Sequence, residues 1–388
     1  MPATSTPTIQ DMVQRAQALL PRLRERAAAT EALGHLPPET VADFRDGGFF
    51  RVLQPRRFGG MELDYGRLQL ELCSTLGQAC GSAAWVQMVV ACHAWCLAMF
   101  PDAAQQAVWG EDPETLVGTA FGFSTGRGRP VEGGYWLDGD WVFSSGSDLC
   151  QWIILGTLVE QPGPPNMVWS LLPRTDWEIL DTWHSAGLKG TASNDIRVKG
   201  AFVPYEFTLD RPFGPRTEPT PGSRVNTNPM YALPLNGFFP FNVTTEALGI
   251  ARGAVDAFAG QLAGRGDRPN LVGRQLRMAE SAAEVDAAEA LIRADVEVID
   301  RILHDGVPVE PVFQAKLARD LSFMVNLCAR AVDRLTTAVG AHGMADANVV
   351  HRASRDLHAI GNHGVNNWEH QALNYTRART GLPPIEMF

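Results

Sequence analysis

The sequence predicts an α+β fold, mostly α, in which a β-domain lies between two blocks of helices. Three observations predict it: helical periodicity over residues 8–110, short apolar runs over 115–204, and a long helical apolar repeat after residue 241. A chain of 388 residues is also long for one hydrophobic core. We therefore expect three units, an N-terminal helical domain at 1–112, a central β-domain at 113–210, and a linker loop with a helical bundle at 211–388.

The first block of helices contains the most apolar stretch of the chain, residues 83–100. Ser82 is a candidate N-cap for a helix that carries Trp85 and His93 on one stripe. The stretch is about as long as a short membrane span, but Gln87 and His93 interrupt it and cationic flanks are missing. These features favour a buried helix over a membrane span.

The middle of the chain has the pattern of strands. Apolar segments flank the turn signal Asp138-Gly139, which predicts a β-hairpin. Further apolar runs follow at 152–159, 167–172 and 196–203. Because no long helix separates these runs, they favour an antiparallel sheet or barrel over a doubly wound fold.

The last part of the chain is predicted to be helical after a loop. Residues 205–240 are rich in Pro, Gly and Asn, as is typical of an ordered loop or linker. Two long amphipathic helices are predicted beyond it, over 276–302 and 317–339. Such helices suggest a bundle with apolar surface left for self-association.

The composition disfavours several classes of function. The formal net charge is -10 and no long run of Lys or Arg occurs, so we expect no nucleic-acid partner. The six cysteines form no CxxC pair and the N-terminus lacks a secretory pattern, so we expect a cytoplasmic location. The chain has no P-loop, no GxGxxG between a strand and a helix, no GxSxG and no HExxH. Tight NAD(P)H binding, serine hydrolysis and a zinc site are therefore not expected.

Several motifs together resemble a known family. They lie at 36–41, 58–60, 82–85, 141–146 with Trp152, and 181–195. They resemble the acyl-CoA dehydrogenase superfamily, and within it the oxygenase components of two-component flavin monooxygenases, which act on 4-hydroxyphenylacetate, the steroid-derived phenol 3-HSA or dibenzothiophene. The resemblance extends over about residues 10–380 and is most specific at 181–195. It implies an N-terminal helical domain, a central antiparallel β-barrel domain and a C-terminal four-helix bundle, assembled as a homotetramer.

The resemblance implies three catalytic residues. Ser144 corresponds to a hydroxyl residue that hydrogen-bonds flavin N5, with Ser145 as the alternative. His93 corresponds to a helix histidine that faces the substrate. His363 lies where the dehydrogenases carry a carboxylate base and the monooxygenases a histidine that interacts with the flavin hydroperoxide. The alternative for Ser144 is a serine at the end of a strand with no catalytic role. The alternative for His93 and His363 is packing in the protein core.

The implied cofactor is reduced FMN, with FAD as the alternative. The implied cofactor contacts are Phe121, Phe123, Ser124, Phe143, Ser144, Ser145, Arg265, His342 and Gly343. Arg265 would reach the flavin phosphate of a neighbouring subunit. An apolar substrate pocket is expected from Trp85, Met88, Phe238, Phe239 and Trp368. The implied partners are a separate NAD(P)H:flavin reductase, an aromatic substrate and O2.

The function implied by the resemblance is hydroxylation of a phenolic or polycyclic aromatic substrate with reduced FMN and O2, through a C4a-hydroperoxyflavin. Apolar walls suit this chemistry because they keep water away from the flavin. The alternatives are an acyl-CoA dehydrogenase-like FAD enzyme, which the missing carboxylate near His363 disfavours, and a non-catalytic flavin-binding protein. A metal site is disfavoured, because no carboxylate pattern near the histidines completes a set of metal ligands. The histidines are His351, His358, His363 and His370.

Overall fold

The computed structural model describes residues 6–123, 125–160, 166–213, 219–264, 266 and 268–385, which fold as helices, then strands, then helices. The predicted α+β class, mostly α, is confirmed. The first block of helices ends at Trp109, the first strand begins at Val117, and the last strand ends at Asp210. The domain boundaries near 112 and 210 stay predictions, because the order of elements alone does not divide a chain into domains.

The first block of helices encloses a fully buried helix. Its elements are α1 (Ile9–Leu33), α2 (Pro38–Asp46), a π-helical segment (Gln69–Cys73), α3 (Ser74–Gly77), α4 (Gly81–Leu97) and α5 (Asp102–Trp109). Every residue of α4 is buried, so the apolar stretch at 83–100 contributes to the protein core. Among the helices that the structure describes, none has both the length and the hydropathy needed to cross a membrane.

The predicted N-cap of α4 is wrong. The helix begins at Gly81, with Cys80 as the N-cap residue. The Ser82 hydroxyl oxygen instead accepts a hydrogen bond from the Gly190 backbone N–H at 3.2 Å. Ser82 therefore connects α4 to the 181–193 segment of the β-region, a contact between residues distant in sequence.

The strands form one mostly antiparallel sheet. Over the described residues they are β1 (Val117–Ala120), β2 (Gly122–Phe123), β3 (Arg127–Val131), β4 (Gly134–Ser144), β5 (Trp152–Val159), β6 (Asn166–Pro173), β7 (Glu178–Leu180), β8 (Asn194–Pro204) and β9 (Thr208–Asp210). Their order is β7-β8-β4-β3-β5-β6-β9, with β1 beside β5 and β2 beside β4. Two pairings are parallel, β1 with β5 and β3 with β5. The sheet has its own apolar core around Trp141, Ile153 and Ile196.

The predicted hairpin at Asp138-Gly139 is wrong. These residues lie within one continuous strand, β4, and the register of β4 against β8 shifts at this pair. Gly139 has a φ of 121°, a conformation that residues with a side chain rarely adopt. The register places two residues of β8, Lys199 and Gly200, opposite Asp138 alone, so the β-bulge lies on β8 and β4 continues through the Asp-Gly pair.

The C-terminal helices contain both predicted long helices. The elements are α6 (Leu235–Phe238), α7 (Glu246–Ala263), α8 (Val272–Asp305), α9 (Pro311–Val339), α10 (Val349–Gly361) and α11 (Trp368–Arg379). The predicted segments 276–302 and 317–339 lie within α8 and α9. Helix α9 packs against α7, α8, α10 and α11, so these helices form the predicted bundle.

Glycines bring the first and last helical regions into close contact. A Cβ atom at Gly77 would lie 2.6 Å from the Glu246 carbonyl oxygen. A Cβ atom at Gly249 would lie 2.1 Å from the Ser74 carbonyl oxygen. Because only hydrogen fits at these two positions, α3 and α7 pack with their backbones in contact.

Candidate active site

A mostly apolar cavity of about 2570 Å³ lies where α4, the sheet and the C-terminal helices meet. A pocket for one small ligand usually has roughly 300 to 1,000 Å³. The cavity therefore has room for two ligands side by side. Seven of the predicted site residues line it: Trp85, His93, Phe121, Phe143, Ser145, Phe239 and His363.

Among the predicted residues that the structure describes, Met88, Phe238, Trp368 and Gly343 do not line this cavity. Met88 and Phe238 are fully buried in the protein core. The Trp368 ring packs against Phe323, and Gly343 lies in a 3-10 turn after α9. The predictions that lie outside the described residues concern Ser124, Arg265 and the side chains of Phe123 and His342.

Of the two candidate serines, Ser145 lines the cavity and Ser144 is fully buried. The register of β4 shifts between Trp141 and Ser144, and Phe143 between them has a left-handed φ of 63°. This bulge breaks the alternation of the strand, so Trp141 and Ser144 both face inward although they are three residues apart. Within the described residues the Ser144 Oγ has no hydrogen-bond partner. Ser145 Oγ accepts a hydrogen bond from Trp85 Nε1 at 2.9 Å.

The bulge also exposes an aromatic ring to the cavity. Phe143 is 64% exposed and lines the cavity, and its ring meets that of Trp183 edge to face at 5.9 Å between centroids. Its backbone N–H donates to Asp195 Oδ1 at 3.3 Å. A left-handed backbone at a residue with a side chain is strained and persists where surrounding contacts hold it. Phe143 is therefore held in place as a flat apolar surface beside Ser145.

His93 is buried, and both of its ring nitrogens have partners. Nδ1 lies 2.8 Å from the Val117 carbonyl oxygen and Nε2 lies 2.8 Å from Thr119 Oγ1. Because a carbonyl only accepts, Nδ1 carries the hydrogen and Nε2 accepts from Thr119. Burial lowers the pKa of His93 to about 4, although the bond to Val117 opposes this shift. The ring is therefore neutral at pH 7, and Thr119, its partner at Nε2, lines the cavity together with it.

His363 follows the end of α10 and lines the cavity beside Trp85. The two ring centroids lie 5.7 Å apart. The Val365 backbone N–H donates to His363 Nδ1 at 3.4 Å, which leaves Nε2 as the protonated nitrogen of the neutral ring. Burial lowers the pKa of His363 to about 4. At pH 7 its side chain is therefore a neutral hydrogen-bond donor through Nε2.

One part of the cavity wall is a cluster of aromatic rings. Phe121 stacks on Trp169 with 4.3 Å between centroids and an interplanar angle of 5°. Phe213 and Phe239 each meet Phe121 edge to face, at 6.4 Å and 5.5 Å. Phe121, Phe213 and Phe239 all line the cavity. Such a wall favours a flat apolar ligand.

Sequence reasoning missed three of these cavity residues. Thr119 precedes Phe121 by two positions, so the period of a strand indicates that both side chains face the same side. Trp183 lies in the 181–195 segment, the most specific part of the family resemblance, and could have been chosen from it. Phe213 lies in a Pro- and Gly-rich loop and carries no comparable sequence signal.

The other C-terminal histidines have separate partners. His351 Nδ1 lies 2.9 Å from Arg355, and His358 Nε2 lies 3.0 Å from Asp333 Oδ2. His370 Nε2 lies 2.9 Å from the Asn374 side-chain amide. Within the described residues, no group of three or more His, Cys, Asp or Glu side chains is arranged to hold a metal ion.

Comparison with known proteins identifies the family. A family model of the acyl-CoA dehydrogenase C-terminal domain matches residues 243–368. The chain is 34% identical to the flavin-dependent monooxygenase, oxygenase subunit HsaA, of Mycobacterium tuberculosis (strain CDC 1551 / Oshkosh), over 97% of this chain and 96% of that protein. It is 32% identical to the FADH(2)-dependent resorcinol hydroxylase, oxygenase component, of Rhizobium sp. (strain MTP-10005), over 99% of this chain and 97% of that protein.

A solved structure supports the same assignment. The crystal structure of 3-HSA hydroxylase from Rhodococcus sp. RHA1 superimposes with a TM-score of 0.92 at 33% identity, and the match covers 97% of this chain and 98% of that one. The expected enzyme class is thereby confirmed. A relative with 34% identity spans nearly the whole chain. This chain therefore belongs to the flavin-dependent monooxygenase oxygenase subunits that share the acyl-CoA dehydrogenase fold.

Proposed function

We propose that this chain is the oxygenase component of a two-component monooxygenase and that its cavity holds reduced flavin beside an aromatic substrate. One observation carries the proposal: Ser145, Phe143, His93 and His363 converge on one apolar cavity large enough for two ligands. When bound, reduced flavin supplies two electrons to O2, so that one oxygen atom enters the aromatic ring and the other leaves as water. Residues of the protein bind the flavin, orient the substrate and hold the proton near the reacting oxygen.

The residues around Ser145 fit the isoalloxazine ring of a flavin. Ser145 Oγ accepts from Trp85 and still has capacity for a further hydrogen bond, which suits the N5–H of reduced flavin. Phe143 offers an exposed apolar ring beside it. We therefore assign the flavin contact to Ser145 rather than to Ser144. His363, as a neutral donor through Nε2, would hold a proton close to the reacting oxygen.

The aromatic cluster and the Thr119-His93 pair fit a phenolic substrate. Phe121, Phe213 and Phe239 would contact the substrate ring, and Thr119 would accept a hydrogen bond from its hydroxyl group. Because the Thr119 hydrogen already bonds to His93 Nε2, the Thr119 oxygen faces the cavity as an acceptor, and a hydrogen bond to it from the phenolic O–H raises the electron density of the substrate ring. A more electron-rich ring accepts oxygen more readily.

We further propose FMN as the preferred flavin and a separate NAD(P)H:flavin reductase as its source. The resorcinol hydroxylase relative is named for FADH2, so the dissociation constants of reduced FMN and reduced FAD need direct comparison. The absence of a dinucleotide fingerprint supports the need for a reductase. Rapid oxidation of NADH by the pure chain with FMN would contradict it.

A homotetramer is the proposed assembly. Helix α8 exposes Val272 and Leu276 near its start, and Leu276 is 66% exposed. Exposed apolar residues on a long bundle helix support self-association. Light scattering at micromolar concentration measures the mass directly, and a monomer that still binds reduced flavin would rule out the tetramer.

The function is tested by supplying the reduced flavin chemically. The protein is mixed without oxygen with photoreduced FMN, oxygenated buffer containing one aromatic compound is added, and product and hydrogen peroxide are measured per flavin. We expect hydroxylated product from at least one phenol and mostly peroxide from benzoate, which lacks a phenolic hydroxyl. Peroxide alone across monocyclic and polycyclic phenols would remove the hydroxylase assignment.

A further inference from the structure

Ser145 is the first of three hydroxyl groups that lead away from the cavity. Its Oγ lies 2.7 Å from Ser193 Oγ, which lies 2.6 Å from Thr191 Oγ1. At the cavity end, the Trp85 indole N–H donates to Ser145. At the far end, the Thr191 hydroxyl lies 2.9 Å from the Leu188 carbonyl oxygen. The chain therefore connects a group that can only donate to a group that can only accept.

Two orders of the hydroxyl hydrogens run in one direction through all three hydroxyl groups and satisfy this geometry. In the outward order, Ser145 donates to Ser193, Ser193 donates to Thr191, and the Thr191 hydroxyl then donates to the carbonyl of Leu188. Ser145 keeps one lone pair for the cavity, because it accepts only from Trp85. In the reverse order the bond from Thr191 to the Leu188 carbonyl is lost, and Ser145 turns its hydrogen toward the cavity.

Burial favours the outward order, because that order makes one more hydrogen bond inside the protein. Thr191 is fully buried, so water does not replace a missing partner at its hydroxyl, whereas Ser193 is 4% exposed and lines the cavity. A hydrogen bond left unmade at a buried group is costly. The Leu188 carbonyl is held in place by a further donor, Trp183 Nε1, at 3.0 Å.

We propose that Thr191 and Ser193 are positioning residues that keep the lone pair of Ser145 directed at the cavity and thereby favour reduced over oxidised flavin. This inference rests on the proposed function, in which the flavin N5 lies against Ser145. Reduced flavin carries a hydrogen on N5 and can donate it to that lone pair. The N5 of oxidised flavin carries no hydrogen and can only accept. It therefore faces the lone pair of Ser145 without a hydrogen between them, unless all three hydroxyl groups reverse their direction of donation.

The preference has a consequence for turnover. Reduced flavin gains a hydrogen bond at Ser145 when it binds. After the flavin is oxidised, it no longer makes that bond. The chain of hydroxyls would therefore help the protein to take up reduced flavin from its source and to release the oxidised product. Ser145, Ser193 and Thr191 keep their protonation states in this process.

The experiment measures the ratio of two dissociation constants, for oxidised and for reduced FMN, under anaerobic conditions by fluorescence titration. In Thr191→Val the terminal hydroxyl is lost at nearly constant volume, Ser193 donates to Ser145 instead, and Ser145 turns its hydrogen to the cavity. We expect the ratio to fall by about three- to tenfold, the value of one hydrogen bond. Thr191→Ser keeps the hydroxyl and should keep the wild-type ratio.

Two further arms guard against a folding defect in Thr191→Val. Ser193→Ala breaks the chain at the cavity surface and should lower the ratio in the same way. The wild-type protein with 5-deaza-FMN, which has carbon in place of N5, should show little preference for the reduced form. A wild-type ratio in Thr191→Val or in Ser193→Ala would overturn the inference, even if flavin binding itself persists. Failure of the wild-type protein to bind either form of FMN would overturn the proposed function as well.

Discussion

The protonation of the two cavity histidines is decided by burial at the level of single residues. Histidine is commonly chosen for proton transfer because its ordinary pKa lies near neutral pH. Burial lowers the pKa of both His93 and His363 to about 4, so both rings are neutral at pH 7. Each neutral ring donates one hydrogen bond through one nitrogen and accepts one through the other, and neither contributes a positive charge to the cavity.

The first prediction concerns the pH dependence of His93 and His363. Because both pKa values are lowered, neither ring should titrate between pH 6 and 8, and histidine-labelled NMR spectra should show two resonances that stay neutral in this range. The unfolded chain binds these protons more readily than the folded one, so the free energy of unfolding should fall as the pH drops from about 6.5 toward 4. A resonance of His93 that titrates near pH 6.5 would contradict the burial argument.

The second prediction concerns His363→Ala. Loss of the Nε2 donor should leave flavin binding nearly unchanged but reduce hydroxylation by about 10²- to 10⁴-fold, the usual contribution of a general acid or base. Hydrogen peroxide should rise as product falls, which is measured as product and peroxide per reduced flavin. His304→Ala, which removes an exposed histidine whose Nε2 lies 3.3 Å from Asp64 Oδ2, serves as the control. If the coupling ratio of His363→Ala equals that of wild type, His363 has only a packing role.

At the level of elements, α10 holds the 183–188 segment that forms part of the cavity wall. Asp356 Oδ1 accepts the Leu188 backbone N–H at 2.7 Å, and Arg355 Nε donates to the Ala186 carbonyl at 3.1 Å. A Cβ atom at Gly187 would lie 2.0 Å from the Arg355 carbonyl oxygen, so the segment and the helix touch through their backbones. His363 follows the same helix, so α10 positions two sides of the cavity.

The third prediction tests this contact through Asp356. In Asp356→Ala the buried Leu188 N–H loses its acceptor, so the free energy of unfolding should fall by about 1 to 3 kcal/mol and flavin binding should weaken. Asp356→Asn retains an oxygen acceptor, so its free energy of unfolding and its flavin affinity should both fall less than those of Asp356→Ala. Thermal melting and flavin titration measure the two effects. If the Asp356→Ala protein is destabilised but binds flavin as tightly as wild type, the contact between Asp356 and Leu188 does not shape the cavity.

At the level of the whole molecule, the contact between α3 and α7 contains an unusual acid. Glu246 is fully buried at the start of α7, and neither carboxyl oxygen has a hydrogen-bond partner among the described residues. Burial raises the pKa of Glu246 to about 8. The folded protein therefore keeps Glu246 protonated at neutral pH, while the unfolded chain releases the proton.

The fourth prediction follows from that difference in proton binding. The folded-state pKa is raised, so the stabilising effect of a bound proton is complete below about pH 4.5 and is lost as the pH rises toward 8. One proton corresponds to about 1.4 kcal/mol per pH unit. Glu246→Gln cannot ionise, so the difference in unfolding free energy between the variant and wild type should grow from pH 5 to 8 in urea titrations at one protein concentration. Parallel profiles for the two proteins would show that Glu246 is ionised in the fold.

The sequence by itself determined the order of elements and the family. Long helices such as α8 and α9 were predictable because each repeats an apolar position at the helical period over many turns. Trp85, Phe143 and Ser145 line the cavity, and they lie in the motifs 82–85 and 141–146 that resemble those of relatives. Local periodicity and family motifs carry this information because both are properties of contiguous residues.

The tertiary structure decided which groups face the cavity and in which protonation state. Alternation along β4 could not choose between Ser144 and Ser145, because a bulge at Phe143 turns Ser144 to the buried face that Trp141 also occupies. The low pKa of His93 depends on its burial against strand β1, which contributes its partners Val117 and Thr119. Burial and strand register arise from contacts between distant segments, so local sequence patterns do not contain them.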